Sequence, residues 1–290
     1  MAKPGALSES DPRWFQIAFL VCLLAYVLAF RDFSLSPLAM VAAVGAVLVT
    51  QEVCVRLLSI PHPGWLSPFI SSLSLCLLLR TNEAWVAALA GVLAMASKFV
   101  LRVRGKHVFN PTNFGILAAV LLSGRAWVSP AQWGSGSFIV FFIAAAGMTV
   151  TLRATRLDIS AAYLAAHAAL NLGRVLWLGH SPEVFLHRFS SGALIVFAFF
   201  MISDPRATPD ARAARVVFAC LTAWVAYVLQ FRFFVPSAPL WALLIVSPVT
   251  PVLDRLWPRA RFAWTGKGVL YDKQDPASSA HPGVALHARA

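Results

Sequence analysis

The chain has 290 residues, of which 59% are hydrophobic and 12% charged, with a net charge of +12 and a mean hydropathy of +0.72. Soluble domains carry roughly 25% charged residues, so a water-facing surface cannot be built from this composition, and lipid must be the solvent for most of the chain. Cys22, Cys54, Cys76 and Cys220 each sit inside an apolar run without CxxC or Cys/His spacing, which points to no disulfide framework and no metal site.

In chain order, Met1 to Arg13 holds Lys3, Glu9, Asp11 and Arg13 but no apolar signal-peptide core, so residues 1–13 are expected as a short cytoplasmic segment. A helix needs about 20 residues to cross a hydrocarbon core of about 30 Å. By that ruler the full-length spans are 14–30, 36–56, 84–101, 136–152, 158–178, 186–202, 213–231 and 237–253. Two further apolar runs, 65–79 and 113–124, are short and contain or follow Pro68 and Pro111. Segments of that kind are expected as half-helices or helices buried in protein, because irregular backbone in a bilayer needs protein or water partners. The expected fold is all-α: a polytopic membrane helical bundle over 14–256 with about ten transmembrane segments, two of them short or broken. Residues 257–290, rich in Pro, Ser and Gly after Trp264, are expected as a disordered cytoplasmic tail.

Charge orients the bundle. If all ten segments cross and the N-terminus is inside, only Arg31, Arg80, Arg125, Arg174, Arg188 and Arg232 of the 24 basic residues face outward. The positive-inside rule selects this threading, in a bacterial inner membrane with both termini cytoplasmic. Dropping either short segment alone would send later basic loops outside. Trp14, Trp65, Trp127, Trp133, Trp177 and Trp241 near segment ends fit an interfacial belt. Basic residues spread over short loops, with no aromatic-interleaved stripe, argue against nucleic acid as a partner. No GxSxG, HExxH or P-loop occurs, so hydrolytic or metal-dependent catalysis has no support.

Two loops place proline directly after a side chain able to cap a helix. The first is Lys106-His107-Val108-Phe109-Asn110-Pro111-Thr112-Asn113-Phe114-Gly115, and the second runs Met201-Ile202-Ser203-Asp204-Pro205-Arg206-Ala207-Thr208-Pro209. Read plainly, these are two helix caps at the membrane surface. Read functionally, the free N–H groups of two helix starts on one side of the membrane form a site for an anionic or carbonyl-bearing ligand.

An FNP motif after a basic loop, followed by a phenylalanine-rich segment running into Ser203-Asp204-Pro205, resembles the NqrB/RnfD family, whose stretches read approximately NIFNPA and FMATDP. The likeness covers most of 36–256. It implies a membrane subunit of a redox-driven ion-translocating complex, with electron-transfer partner subunits and Phe109, Asn110, Pro111, Thr112, Asn113, Ser203, Asp204, Pro205 and Thr208 around a cofactor. One departure stands out. The family's FMN is attached through the threonine of an SGAT-like motif, and the nearest candidates here, 133–137 and 190–194, have none. The expectation is therefore no covalent FMN, with a non-covalent flavin (riboflavin or FMN) or quinone in its place. Size and the missing threonine also resemble a shorter subgroup, UnbU-like proteins that accompany enediyne biosynthesis.

Within the bilayer, His167, Asn171 and Arg174 share one helical face and join the candidate site. The plain alternative has Arg174 reaching the outer interface and Asn171 bonding a neighbouring helix. Glu52 is positioned to pair with Arg56 as a structural ion pair, and Ser71, Ser72 and Ser74 could line a pore or bond backbone carbonyls. The function these features imply is an RnfD-like subunit that is non-catalytic or transfers electrons. The competing reading is a channel or transporter for a small solute or natural product.

Overall fold

The computed structural model describes residues 11–30, 36–128, 137–189, 191–265 and 268–272. Each expected segment is a helical unit. In order they are α1 Pro12–Phe30, α2 Pro37–Leu57, α3 Leu66–Leu78, α4 Ala84–Val100, α5 Pro111–Ser123, α6 Ser137–Arg153 and α7 Leu157–Trp177. There follow α8 Pro182–Phe189, α9 Gly192–Val196 with its continuation Phe197–Met201 in π geometry, α10 Arg212–Arg232, α11 Ala238–Val246 and α12 Thr250–Leu256. Three two-stranded ladders join them: β1 Leu79–Thr81 with β4 Ala126–Val128, β2 Arg102–Val103 with β3 Lys106–His107, and β5 Arg261–Thr265 with β6 Gly268–Asp272.

Among the described residues, Pro12–Phe30, Pro37–Leu57, Arg212–Arg232 and Ala238–Leu256 are long and apolar enough to cross a membrane. Leu38, Val41 and Val49 on α2 stand 67%, 69% and 63% exposed, a surface that only lipid or another protein can cover.

The short segments are 13-residue helices, about 20 Å long at 1.5 Å per residue and so well short of the hydrocarbon core. Both are largely buried, with Ser72, Leu75, Ile116 and Leu117 inside the bundle. Because α3 stops early, its last carbonyls need partners within the protein. Arg80 supplies them: its buried guanidinium donates to the carbonyls of Cys76 (3.3 Å), Leu77 (3.2 Å) and Leu79 (2.9 Å). The antiparallel ladder from Leu79↔Val128 to Thr81↔Ala126 then ties the strand after α3 to the strand after α5.

Two expectations are corrected. The span expected over 186–202 is broken: α8 and the Gly192–Met201 helix meet at 51°, where glycine lowers helix stability. Within the tail expected to be disordered from 257, residues 261–265 instead pair with 268–272 as the β5–β6 hairpin, while residues 273–290 of that expectation lie outside the described residues. Phe262 anchors it; the ring is 7% exposed and its N–H donates to the Asp210 carboxylate at 3.4 Å.

The packing repeats. In the first half α2 packs on α4, α4 on α5 and α1 on α3; in the second, α7 packs on α10, α10 on α11 and α6 on α9. Each half therefore has five segments in the same contact order. Because five is odd, the second half enters from the opposite end of the bundle if successive segments reverse direction, as in inverted-repeat membrane proteins. Glycines permit the closest approaches. A Cβ on Gly115 would lie 2.4 Å from the Ala90 carbonyl oxygen, and one on Gly147 would lie 2.5 Å from Cβ of Phe199.

Candidate functional site

The FNP and SDP motifs meet. Asn110 caps α5, its Oδ1 accepting from the Asn113 N–H at 3.0 Å while Pro111 occupies the first turn. The same side chain turns its Nδ2 to the Met201 carbonyl at 3.3 Å and toward Asp204 Oδ2 at 3.5 Å. Met201 ends the π turn, a geometry that frees carbonyls and recurs at functional sites. Nearby hydroxyls occupy two other carbonyls of that turn: Ser160 donates to Ala198 at 2.6 Å, and Ser203 to Phe199 at 2.5 Å.

Around this junction lies a cavity of about 90 Å³ lined by Asn110, Pro111, Thr112, Ser203, Asp204 and Pro205, with His107, Arg206, Arg13 and the α3 serines Ser67, Ser71 and Ser74. Two of the three serines read as pore-lining face it; Ser72 instead donates to the Phe69 carbonyl at 2.9 Å. Asp204 Oδ1 accepts from the Arg206 N–H at 3.0 Å, and Thr208 closes the loop by donating to the Asp204 carbonyl at 2.8 Å. His107 is 4% exposed, and neither ring nitrogen has a hydrogen bond. Its Nε2 stands 3.6 Å from Asp204 Oδ2, too far for one. Burial lowers the His107 pKa below 6.5 and outweighs the pull of Asp204, so the ring is neutral at pH 7. For Asp204, burial pushes the pKa up, but His107 and the Arg206 N–H and charge overcome it, so the carboxyl falls below 3.8 and is ionised.

The remaining candidates part company. Phe109 packs against Phe114 in a tilted arrangement, with ring centroids 5.2 Å apart. Asn113 leaves the cavity and donates from Nδ2 to the Leu240 carbonyl of α11 at 3.0 Å. His167 and Asn171 line a second cavity, about 630 Å³ in volume, together with Leu78, Val128, Ser237 and Leu240. Asn171 donates to the carbonyl of His167 in its own helix at 2.9 Å, which corrects the expected bond to a neighbouring helix. Arg174 lies outside this cavity, its guanidinium 4.3 Å from the Phe231 ring centroid. Met201 lines both cavities. Arg56 and Glu52 pair at 2.6 Å as expected. Of the two stretches compared with the FMN attachment motif, residues 133–136 and 190 lie outside the described residues, and Gly192 onward opens α9.

The sequence reading missed the scaffold that shapes the SDP loop. Arg156, fully buried, donates to the carbonyls of Pro205 (3.2 Å) and Pro209 (3.1 Å). Arg215 forks onto Asp158 and donates to the Asp210 carbonyl at 2.7 Å. Lys106 Nζ reaches Asp210 at 3.1 Å and Asp254 at 2.9 Å, and the Asp210 N–H donates to Asp254 at 2.8 Å. No local pattern announces these pairings, which span up to 148 positions.

Two comparisons with known proteins bear on the motif resemblance. The family described as NQR2, RnfD, RnfE matches residues 125–263, from β4 through the SDP loop to the start of the hairpin, just under half the chain. The RnfD component of the ion-translocating oxidoreductase complex of Stutzerimonas stutzeri is 29% identical over 106 residues, covering 32% of this chain and 30% of that relative. Both findings are consistent with the RnfD/NqrB family, and both draw on a part of the chain only.

Proposed function

We infer that this chain is an RnfD-like integral membrane subunit of an ion-translocating oxidoreductase complex, set in a bacterial inner membrane with its termini in the cytoplasm. One observation carries the reading. The two motifs that resemble the family, 94 positions apart, converge through Asn110 on a polar cavity beside a π turn.

Fit decides which role each cavity takes. Pockets for ring-sized ligands run from about 300 to 1,000 Å³. At about 90 Å³ the FNP–SDP cavity suits a few waters or a small ion, and a three-ring isoalloxazine exceeds it. The second cavity, at about 630 Å³, has the space for a non-covalent flavin or quinone ring. Such a group would supply electron transfer; His167, Asn171 and Ser237 are the polar groups placed to hold it. At the FNP–SDP cavity, Asp204 supplies negative charge, neutral His107 supplies an open ring nitrogen, and Asn110 reaches toward the Asp204 carboxylate. No covalent flavin is expected, since the attachment threonine is missing from both compared stretches.

A second reading, passage of a small solute, is favoured by Met201 standing between two cavities in a chain whose halves repeat their packing order. The test separates them. The redox reading expects purification of the chain from its native membrane to bring electron-carrying subunits with it, and any flavin signal to vanish from the band on denaturation. A colourless chain that purifies alone and moves solute into liposomes refutes it in favour of transport.

A further inference from the structure

The arginines that the charge pattern places on the outward side run against the bias that keeps positive charge in the cytoplasm. Two of them have partners in the protein: Arg80 holds the carbonyls at the end of α3, and Arg125 pairs with Glu83 at 3.0 Å. Arg174 and Arg188 do not. Among the described residues neither makes an ion pair or a side-chain hydrogen bond, and Glu183, the acidic residue of α8, pairs with neither. The end of α7 has no need of Arg174 as a cap either. The backbone N–H groups of Leu178, His180 and Gly179 already bond the carbonyls of Arg174, Val175 and Leu176.

Both guanidiniums gather on one ring instead. Arg174 lies 4.3 Å and Arg188 5.0 Å from the centroid of Phe231. The ring attracts each cation, while the two like charges repel, so an anion shared between them would relieve the arrangement.

The surroundings set the class of anion. Trp177, three residues beyond Arg174, is 88% exposed, and Phe234, three beyond Phe231, is 81% exposed; aromatic rings so placed sit at headgroup level. The helix α8 is short and amphipathic, buries none of its residues and is bent by 51° from the helix that follows, the pattern of a segment lying along the membrane surface. Leu178 and Leu186 are exposed as well. A soluble anion offers nothing to match these rings and leucines, whereas an anion carrying an apolar body does.

We propose that Arg174 and Arg188, flanking Phe231, form a binding site for the phosphodiester of an anionic glycerophospholipid in the outer leaflet. Each guanidinium can fork onto two phosphate oxygens, and the acyl chains lie against Trp177, Leu178 and Leu186. The leaflet follows from the threading with both termini inside. The site is separate from the redox role and from the larger cavity, which of this pair only Arg188 borders.

The test titrates the full chain in dodecyl maltoside calorimetrically with dioctanoyl phosphatidylglycerol, dioctanoyl phosphatidylcholine and inorganic phosphate. Saturable phosphatidylglycerol binding is expected, about tenfold or more tighter than that of phosphatidylcholine. Arg174→Gln and Arg188→Gln should each weaken it about tenfold or more, the loss of one charge-assisted contact. The corresponding Lys variants, which keep the charge but not the fork, should fall between parent and Gln. Phe231→Leu keeps both charges and should weaken binding about two- to fivefold. Arg125→Gln, outward-facing but paired with Glu83, should bind as the parent does. Equal affinity for the two lipids overturns the proposal and leaves the arginine pair to an acidic segment of a partner protein. Binding untouched by both Gln substitutions overturns it too. So does inorganic phosphate displacing the lipid at like concentration, since the occupant is then a soluble anion. Co-purification of redox subunits is read separately, so the lipid site and the proposed function fail independently.

Discussion

Asn110 does two jobs with one side chain, and substitutions separate them. Its Oδ1 caps α5 and its Nδ2 satisfies the Met201 carbonyl. Asn110→Ser keeps a cap of similar quality and loses only the reach to Met201, whose carbonyl still accepts from the Asp204 N–H at 3.4 Å, so the cost is that of one hydrogen bond, about 0.5–1.5 kcal/mol. Asn110→Ala loses the cap as well, adding about 1 kcal/mol. Asn110→Asp keeps the cap but cannot donate, and it brings a second carboxylate to about the 3.5 Å that now separates Asn110 Nδ2 from Asp204 Oδ2. At an effective dielectric of about 20, that repulsion is of order 4–5 kcal/mol. Stability should thus fall in the order parent, Ser, Ala, Asp, with the Asp variant recovering part of its loss as acid protonates one carboxyl. The assay is thermal unfolding in detergent followed by tryptophan fluorescence, a readout suited to a chain with 10 tryptophans. An Asp variant as stable as the parent, or a Ser variant no better than Ala, would refute the account of both contacts.

His107 should make the protein acid-sensitive. Its folded pKa lies below 6.5, so the unfolded state binds the proton first and stability is lost as pH falls beneath 6.5; His107→Gln should flatten that part of the melting-temperature profile, and an unchanged slope rules the residue out. Asp204 adds a second loss of the same sign at lower pH, because its depressed pKa stabilises the fold above about 3.8 and that contribution fades as the carboxyl protonates. Arg156→Leu strips the Pro205 and Pro209 carbonyls of a buried donor and should cost about 3–5 kcal/mol; Arg156→Lys should not restore it, since one ammonium cannot match the guanidinium fork, and equal melting of Lys and parent proteins would contradict this. Cysteines introduced at Val108 and Ala207 should resist a membrane-impermeant maleimide added to intact cells, whereas ready labelling from outside would overturn the cytoplasmic placement of both motifs.

Hydropathy sufficed to locate the segments because burial in lipid is a one-dimensional demand: each pass needs its own run of apolar residues, and the runs at 65–79 and 113–124 were too short to be ordinary spans for the same reason. Capping is also local, so Asn110 next to Pro111 announced the start of α5. The break near Gly192 was missed because the surrounding residues are apolar enough to read as one span. The hairpin after 260 was missed because its stability draws on Asp210, some 50 positions away.

What the sequence determined by itself is an all-helical membrane bundle with two abbreviated segments and two proline-marked turns, since solvent and helix termini act over a few residues. Only the tertiary structure decided that those turns share a small polar cavity while His167 and Asn171 open onto a larger one, and that Arg156 and Lys106 hold the loop between them. Cavities and ion pairs belong to surfaces brought together from distant parts of the chain, and no local pattern encodes which side chains will face each other across them.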